Sequence, residues 1–280
     1  MTLFRRFHYL SGDIVLGALA TSCLASRTFM ARPGWAWWLA LGLTVWVLYT
    51  GDHLLDAFRY RKKGLKELHS FIWGNRRLLL WAMGVILVVD LMLIFNFLKE
   101  SLLPYSLGLA GLVLLFYAIR HLLRKNRILF IPGEIFVLLL YMAGTWLGPF
   151  VTRGEELLPV HGLVALMMAG VLLMNLGIIS YYDIRLDSRL GIASLAHSLG
   201  RNPTRNLVLL TGILVWLMAL LQFMVFGADR FSGIALILAG MASILLLVLY
   251  LPSWSGRDEY HRMASDAVLI MGFLALIVGA

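Results

Sequence analysis

Nine runs of roughly 20 apolar residues divide the chain, at 12–30, 35–55, 78–98, 102–119, 128–150, 158–181, 206–227, 231–251 and 263–280. A helix rising ~1.5 Å per residue needs about that length to cross a hydrocarbon core ~30 Å thick. With 61% hydrophobic residues, 14% charged residues and a mean hydropathy of +0.85, the chain is too apolar for a soluble domain of 280 residues. The pattern predicts an all-α, polytopic membrane protein with about nine transmembrane helices. The polar stretches between the runs are short and no low-complexity tract interrupts them, so residues 1–280 read as one integral domain.

The net charge of +9 is distributed by topology. If the N-terminus is cytosolic, 19 of the 24 Lys and Arg residues fall on the cytosolic side, at Arg5 and Arg6, within 56–77, 120–127 and 182–205, and at Arg257 and Arg262. Arg27, Arg32, Lys99, Arg153 and Arg230 fall on the other. This is the positive-inside distribution, with membrane lipids as the partners of the basic loops, and it argues against nucleic acid. A bacterial protein of this kind would sit in the cytoplasmic membrane. Arg5 and Arg6 ahead of an apolar run containing Ala25 and Ser26 resemble a signal peptide, but Asp13 breaks the start of that run. The single Cys23 can form no intrachain disulfide and no cysteine metal cluster.

Against this background the acids stand out. Asp52 and Asp56 lie near the end of the second run, and Asp183 and Asp187 follow the sixth. A spacing of four puts both carboxylates of a pair on one helix face, where they can hold a divalent cation or a metal-bound diphosphate. Ionisable groups at membrane helix ends need a partner or a ligand to offset desolvation. The bland alternative is ion pairing with neighbouring Arg and Lys, without a metal. In the nine-helix count both pairs open onto the cytosolic side, so they can line the mouth of one central cavity. A miscount by one helix would put them on opposite faces.

The stretch Tyr49-Thr50-Gly51-Asp52-His53-Leu54-Leu55-Asp56-Ala57-Phe58-Arg59-Tyr60 resembles the first aspartate-rich motif, N-D-x-x-D-x-x-x-D, of the UbiA superfamily of intramembrane prenyltransferases. The stretch from Tyr182 to Leu195, continuing to Leu199-Gly200, resembles the second. The first motif departs from the pattern at Gly51, where Asn is usual, and at Tyr60, which stands in the place of the third aspartate. The resemblance implies Mg²⁺ bound by Asp52, Asp56, Asp183 and Asp187, with a polyprenyl diphosphate and a lipophilic acceptor, aromatic ones included, as substrates. Tyr117 and His121 resemble the family's Tyr-x-x-x-Lys, with Arg124 and Lys125 nearby. Together with Arg59, Tyr60 and Arg185 they are candidate diphosphate-binding residues. Asn175, eight residues before Asp183, can reach into the same cavity.

The chemistry asks for the same residue types. Cleaving an allylic C–O bond builds charge on the diphosphate, which Mg²⁺ and basic side chains stabilise. The carbocation left behind needs π-electron density and exclusion of water. Trp46, Tyr49, Tyr141, Trp146, Tyr181 and Tyr182 are candidate wall residues, packing being the commoner role for any one of them. Two alternatives remain: a cyclase that quenches the cation internally, and a transporter or lipid-binding protein using Asp90, Glu134 and Asp266 as ion sites. Glu134 and Asp266 also suit helix N-termini, where the dipole favours acids.

Overall fold

The computed structural model describes residues 3–60, 67–125, 133–190, 194–226, 229–251 and 260–278, and the side chains of Tyr60, Tyr117 and His121 lie outside that description. The described residues form helices and contain no strand. In order these are α1 (Leu3–Tyr9), α2 (Gly12–Thr28), α3 (Trp35–Tyr60), α4 (Glu67–Gly74), α5 (Arg76–Phe97), α6 (Leu103–Lys125), α7 (Gly133–Val151), α8 (Pro159–Leu190), α9 (Leu195–Leu199), α10 (Arg201–Phe226), α11 (Arg230–Tyr250) and α12 (Tyr260–Leu269). A 3₁₀ segment, Ile270–Leu276, continues α12. Each expected apolar run is helical over most of its described residues.

Five of these helices, α5, α7, α8, α10 and α11, are long and apolar enough to cross a membrane. The protein is an integral membrane protein. The other four runs are harder to count as spans. At 17 residues α2 covers only ~26 Å as an α-helix. The ten residues of α12 cover ~15 Å, to which the seven 3₁₀ residues, rising ~2.0 Å each, add ~14 Å.

The helix that organises the bundle is α2. It packs against α3, α7, α12 and the 3₁₀ segment, and also touches α8 and α11. Its sequence explains how: Gly17, Ala18, Ala20, Thr21, Ser22, Ala25 and Ser26 are small, and small residues let helix backbones approach closely in lipid. On one side α3 packs against α5 and α4. On the other, α8 packs against α10 and α11, and Met167, Val171, Met174, Ile178, Val208, Val215, Leu238 and Leu245 form the main core. Only Leu79, Asp90 and Leu93 of α5 are buried, while Leu78, Trp81, Val88, Met92 and Phe95 are exposed on the lipid-facing side.

The 3₁₀ segment approaches α2 closely. A Cβ at Gly272 would meet the Ala20 carbonyl oxygen at 2.6 Å and carbon at 2.8 Å, and backbone cannot swing aside as a side chain can. Gly272→Ala should therefore destabilise the bundle by at least ~1–3 kcal/mol, the usual cost of overpacking. Thermal unfolding in detergent checks this. A wild-type midpoint would mean that the 3₁₀ segment can move off α2 without loss.

The two ends of the bundle differ. At one, Gly154 N–H donates to Phe29 O, and Glu155 binds Arg230 and lies 2.9 Å from His161 Nε2. Partial burial raises the Glu155 pKa, but Arg230 and His161 outweigh it and hold the carboxyl below its ordinary value. The other end carries the aspartates.

Candidate functional site

The aspartate end starts with a tight turn. Ser11 joins α1 to α2 in the left-handed region (φ 58°), an uncommon conformation for a non-glycine residue that tends to mark functional positions. A Cβ on the following Gly12 would strike the Phe7 ring at 2.3 Å, so glycine lets α1 fold back against α2. The turn brings His8 Nδ1 to 2.5 Å from Asp13 Oδ2, with both residues buried. It also points Ser11 Oγ at His53 Nδ1, 3.5 Å away on α3, between Asp52 and Asp56.

From Asp13 the polar contacts continue to the second motif. His8, Asp13 and Asp266 offer ligand atoms within 4.8 Å of one another. Asn175 Nδ2 on α8 donates to Asp266 Oδ1 at 3.2 Å. One turn before Asp266, Arg262 Nε donates to Asp183 Oδ2 at 2.8 Å, and an η nitrogen donates to the same oxygen. His261 Nε2 lies 3.5 Å from Asp183 Oδ1. A chain of side chains from α1, α2 and α12 thus links the aspartate-bearing ends of α3 and α8. Both pairs lie at one end of the bundle, although α3 and α8 are not principal packing partners.

Within the pairs, Asp183 and Asp187 are buried on one face of α8, as four-residue spacing requires. Asp52 and Asp56 are half-buried on α3. Asp56 Oδ1 is 3.7 Å from Arg59 Nη1, so Arg59 stands beside a carboxylate. Arg185 follows Asp183 by two residues, a rotation of ~200°, and is exposed on the far side of α8 from both aspartates. Asn175 is buried and faces Asp266. The three remaining candidates, Tyr60, Tyr117 and His121, have side chains outside the described residues.

The aromatic candidates divide. Tyr182 donates its hydroxyl to the Leu249 carbonyl at 2.8 Å, anchoring α8 to α11. Trp146 is buried edge-on against Phe29 at 5.6 Å, toward the opposite end. The Tyr181 ring carries Arg201 at 4.7 Å. Tyr49 and Tyr141 are partly buried around α2, Trp46 is partly buried on α3, and the Tyr141 hydroxyl is 3.4 Å from Thr21 Oγ1.

Of the acids of the ion-site alternative, Asp266 sits with His8 and Asp13, and the other two join helices. Glu134 Oε1 accepts from Leu195 N–H at 2.7 Å, tying the start of α7 to α9. Asp90 Oδ2 accepts from Thr44 Oγ1 at 2.6 Å and joins α5 to α3, while its Oδ1 is buried without a hydrogen bond among the described residues. Sequence reasoning passed over His8, Asp13, His261 and Arg262 as parts of the site. Asp13 in an apolar run and a basic pair just before the last one were the available signals.

No protein-family model and no curated protein matches the sequence. A solved structure does match: a UbiA homolog from Archaeoglobus fulgidus, bound to DMAPP and Mg²⁺. The two chains share 15% identity, with a TM-score of 0.58 over 97% of this chain and 99% of that one. The chain has the UbiA fold. With both aspartate pairs at one end of that fold, a shared site is geometrically open to them.

Sidedness follows as a prediction. In a Cys23→Ser background, cysteines at Glu67 and Ser198, both exposed at the aspartate end, should label from the same face, and one at Glu156 from the other. Leu68 is buried against Tyr9 and Ile72 and is unsuitable for labelling. Labelling of 67 and 198 from opposite faces would separate the two pairs.

Proposed function

We propose that the protein is an intramembrane prenyltransferase that moves an isoprenyl group from a polyprenyl diphosphate to a lipophilic acceptor. The observation that carries this reading is the presence of both aspartate pairs at one end of a UbiA fold, whose solved homolog is bound to DMAPP and Mg²⁺. Oxygen-rich carboxylate sets are what Mg²⁺ prefers, and it needs few of them because it keeps several waters. Asp52, Asp56, Asp183 and Asp187 suit it by donor type. Bound there, Mg²⁺ supplies positive charge to the diphosphate as the allylic bond breaks.

The chain's own residues do the rest. Asp183 and Asp187 are held on one buried face by α8, with Asp183 fixed further by α12. Asn175 and Asp266 hold α12 against α8 from two turns deeper, which sets the position of Arg262. Half-buried aromatic rings at Tyr49, Trp46 and Tyr141 give the isoprenyl chain an apolar, π-rich wall and keep water from the cation. The basic loops at this end favour the cytosolic side for the mouth of the site.

Diphosphate release from a radiolabelled prenyl diphosphate, with the protein in nanodiscs and Mg²⁺ present, tests the reading. Release should require Mg²⁺ and should rise when a lipophilic acceptor is added. Release that ignores acceptors and yields a cyclised hydrocarbon would assign a cyclase. No release with any chain length would leave a binding or transport protein on this fold.

A further inference from the structure

Asp183 has surroundings that a helix-joining salt bridge does not account for. Both hydrogen bonds from Arg262 converge on Oδ2, so the guanidinium does not make the two-oxygen fork that binds a carboxylate best. The other oxygen faces the His261 imidazole at 3.5 Å. His261 is 7% exposed, yet neither ring nitrogen has a hydrogen bond among the described residues. Its ring lies against Tyr182, at 5.2 Å between centroids, which fixes it beside the carboxylate. Buried polar atoms without hydrogen bonds are rare, and one beside a candidate substrate site points to a ligand. The Arg262 side chain keeps 28% of its surface exposed, so it has room to turn. Both residues belong to the first turn of α12, the end where the helix dipole attracts anions.

We propose that Arg262 and His261 bind the substrate's diphosphate, with Arg262 leaving Asp183 for phosphate oxygens when a divalent cation takes the carboxylate. This rests on the proposed function and adds two substrate-binding residues to it. A guanidinium and a divalent cation compete for Asp183 Oδ2. Once displaced, the planar guanidinium matches a phosphate as well as it matches a carboxylate. His261 donates an N–H to a second oxygen of the same group, satisfying a nitrogen that is otherwise buried without a hydrogen bond among the described residues. Cation and diphosphate then bind cooperatively, because each removes an obstacle to the other.

The competition gives opposite signs in one variant. With the full-length protein in detergent, Mn²⁺ binding is read by the loss of the free-ion EPR signal, and inorganic diphosphate binding is read by calorimetry at saturating Mn²⁺. Arg262→Gln should tighten Mn²⁺ binding about threefold and weaken diphosphate binding about tenfold, the loss of one charge-assisted contact. His261→Phe should leave Mn²⁺ affinity unchanged and weaken diphosphate binding several-fold. Weaker Mn²⁺ binding in Arg262→Gln, or an unchanged diphosphate affinity, overturns the proposal. If that variant does not fold, Arg262→Lys serves: it keeps the charge but lacks the fork, and diphosphate affinity equal to wild type overturns the proposal equally. Asp183→Asn, run alongside, separates the two readings. Intact Mn²⁺-dependent diphosphate binding in Asp183→Asn defeats the metal-site reading itself, whereas its loss, beside an indifferent Arg262→Gln, defeats the present proposal alone.

Discussion

Asp56→Ala and Asp183→Ala should each lower Mg²⁺-dependent diphosphate release by at least ~100-fold, the scale on which single electrostatic contacts to a developing charge act. The two substitutions probe different helices and different surroundings. Asp56 is half-buried with Arg59 at 3.7 Å, so its removal leaves Arg59 near water and should cost little stability. Asp183 is buried under Arg262 and His261, and its removal strands a guanidinium. Loss of stability as well as activity is therefore expected at 183, of the order of ~3 kcal/mol if the guanidinium cannot reach water. Arg262 is partly exposed, which makes that an upper value. Turnover and thermal unfolding measured together separate the two effects. A folded Asp56→Ala protein with wild-type, Mg²⁺-dependent turnover would remove α3 from the site. An Asp183→Ala protein that unfolds while Asp183→Asn folds and turns over normally would make the carboxylate structural.

What the sequence made legible was whatever lies within one helix. The spacing of Asp183 and Asp187 places both on one face without any tertiary information, and they are indeed buried together. The same rule, applied strictly, separates Arg185 from them, since two residues turn the helix by ~200°. Proximity in sequence made Arg185 a candidate, but among the described residues the arginine that reaches Asp183 comes from position 262. Contacts such as Arg262 to Asp183, or His53 to Ser11, join helices remote in sequence, and no periodicity encodes them. Arg262 read simply as one more charge of the positive-inside distribution. Tyr182 illustrates the missing helix phase: the sequence shows an aromatic beside the motif, but not that its hydroxyl donates to the Leu249 carbonyl of α11 while its ring lies against His261. The spans show a third limit. Apolar runs predict helices well, but whether a run of 17 residues such as α2 crosses lipid depends on the neighbours that surround it.

Asp13→Ala should destabilise the protein by about 1–3 kcal/mol, the cost of leaving a buried hydrogen-bonding group without its partner. Its partner His8 is 5% exposed and Asp13 is 2% exposed, with Nδ1 and Oδ2 2.5 Å apart, so the imidazole cannot recover its lost partner from solvent. Asp13 also accepts from the Ile14 N–H at 3.0 Å in the first turn of α2, where an acid favours the helix dipole. Asp266 lies in the same cluster and offers His8 a second carboxylate, which brings the expected value toward the lower end. Asp266→Asn should cost less than Asp13→Ala, because it removes the second of two neighbouring carboxylates and leaves the His8 to Asp13 contact intact. Thermal unfolding of both variants checks the order, and the reverse order would mean that Asp266 is the main partner of His8. The effect should extend to turnover. The hairpin closed by His8 and Asp13 holds Ser11 at φ 58° against His53, between the two aspartates of α3. Losing that hairpin frees α1 and disturbs the first pair, whereas α12 still holds Asp183 through Arg262. Asp13→Ala should therefore impair turnover more than it weakens Mn²⁺ binding at the second pair, and an equal loss of both would place Asp13 in the metal site itself.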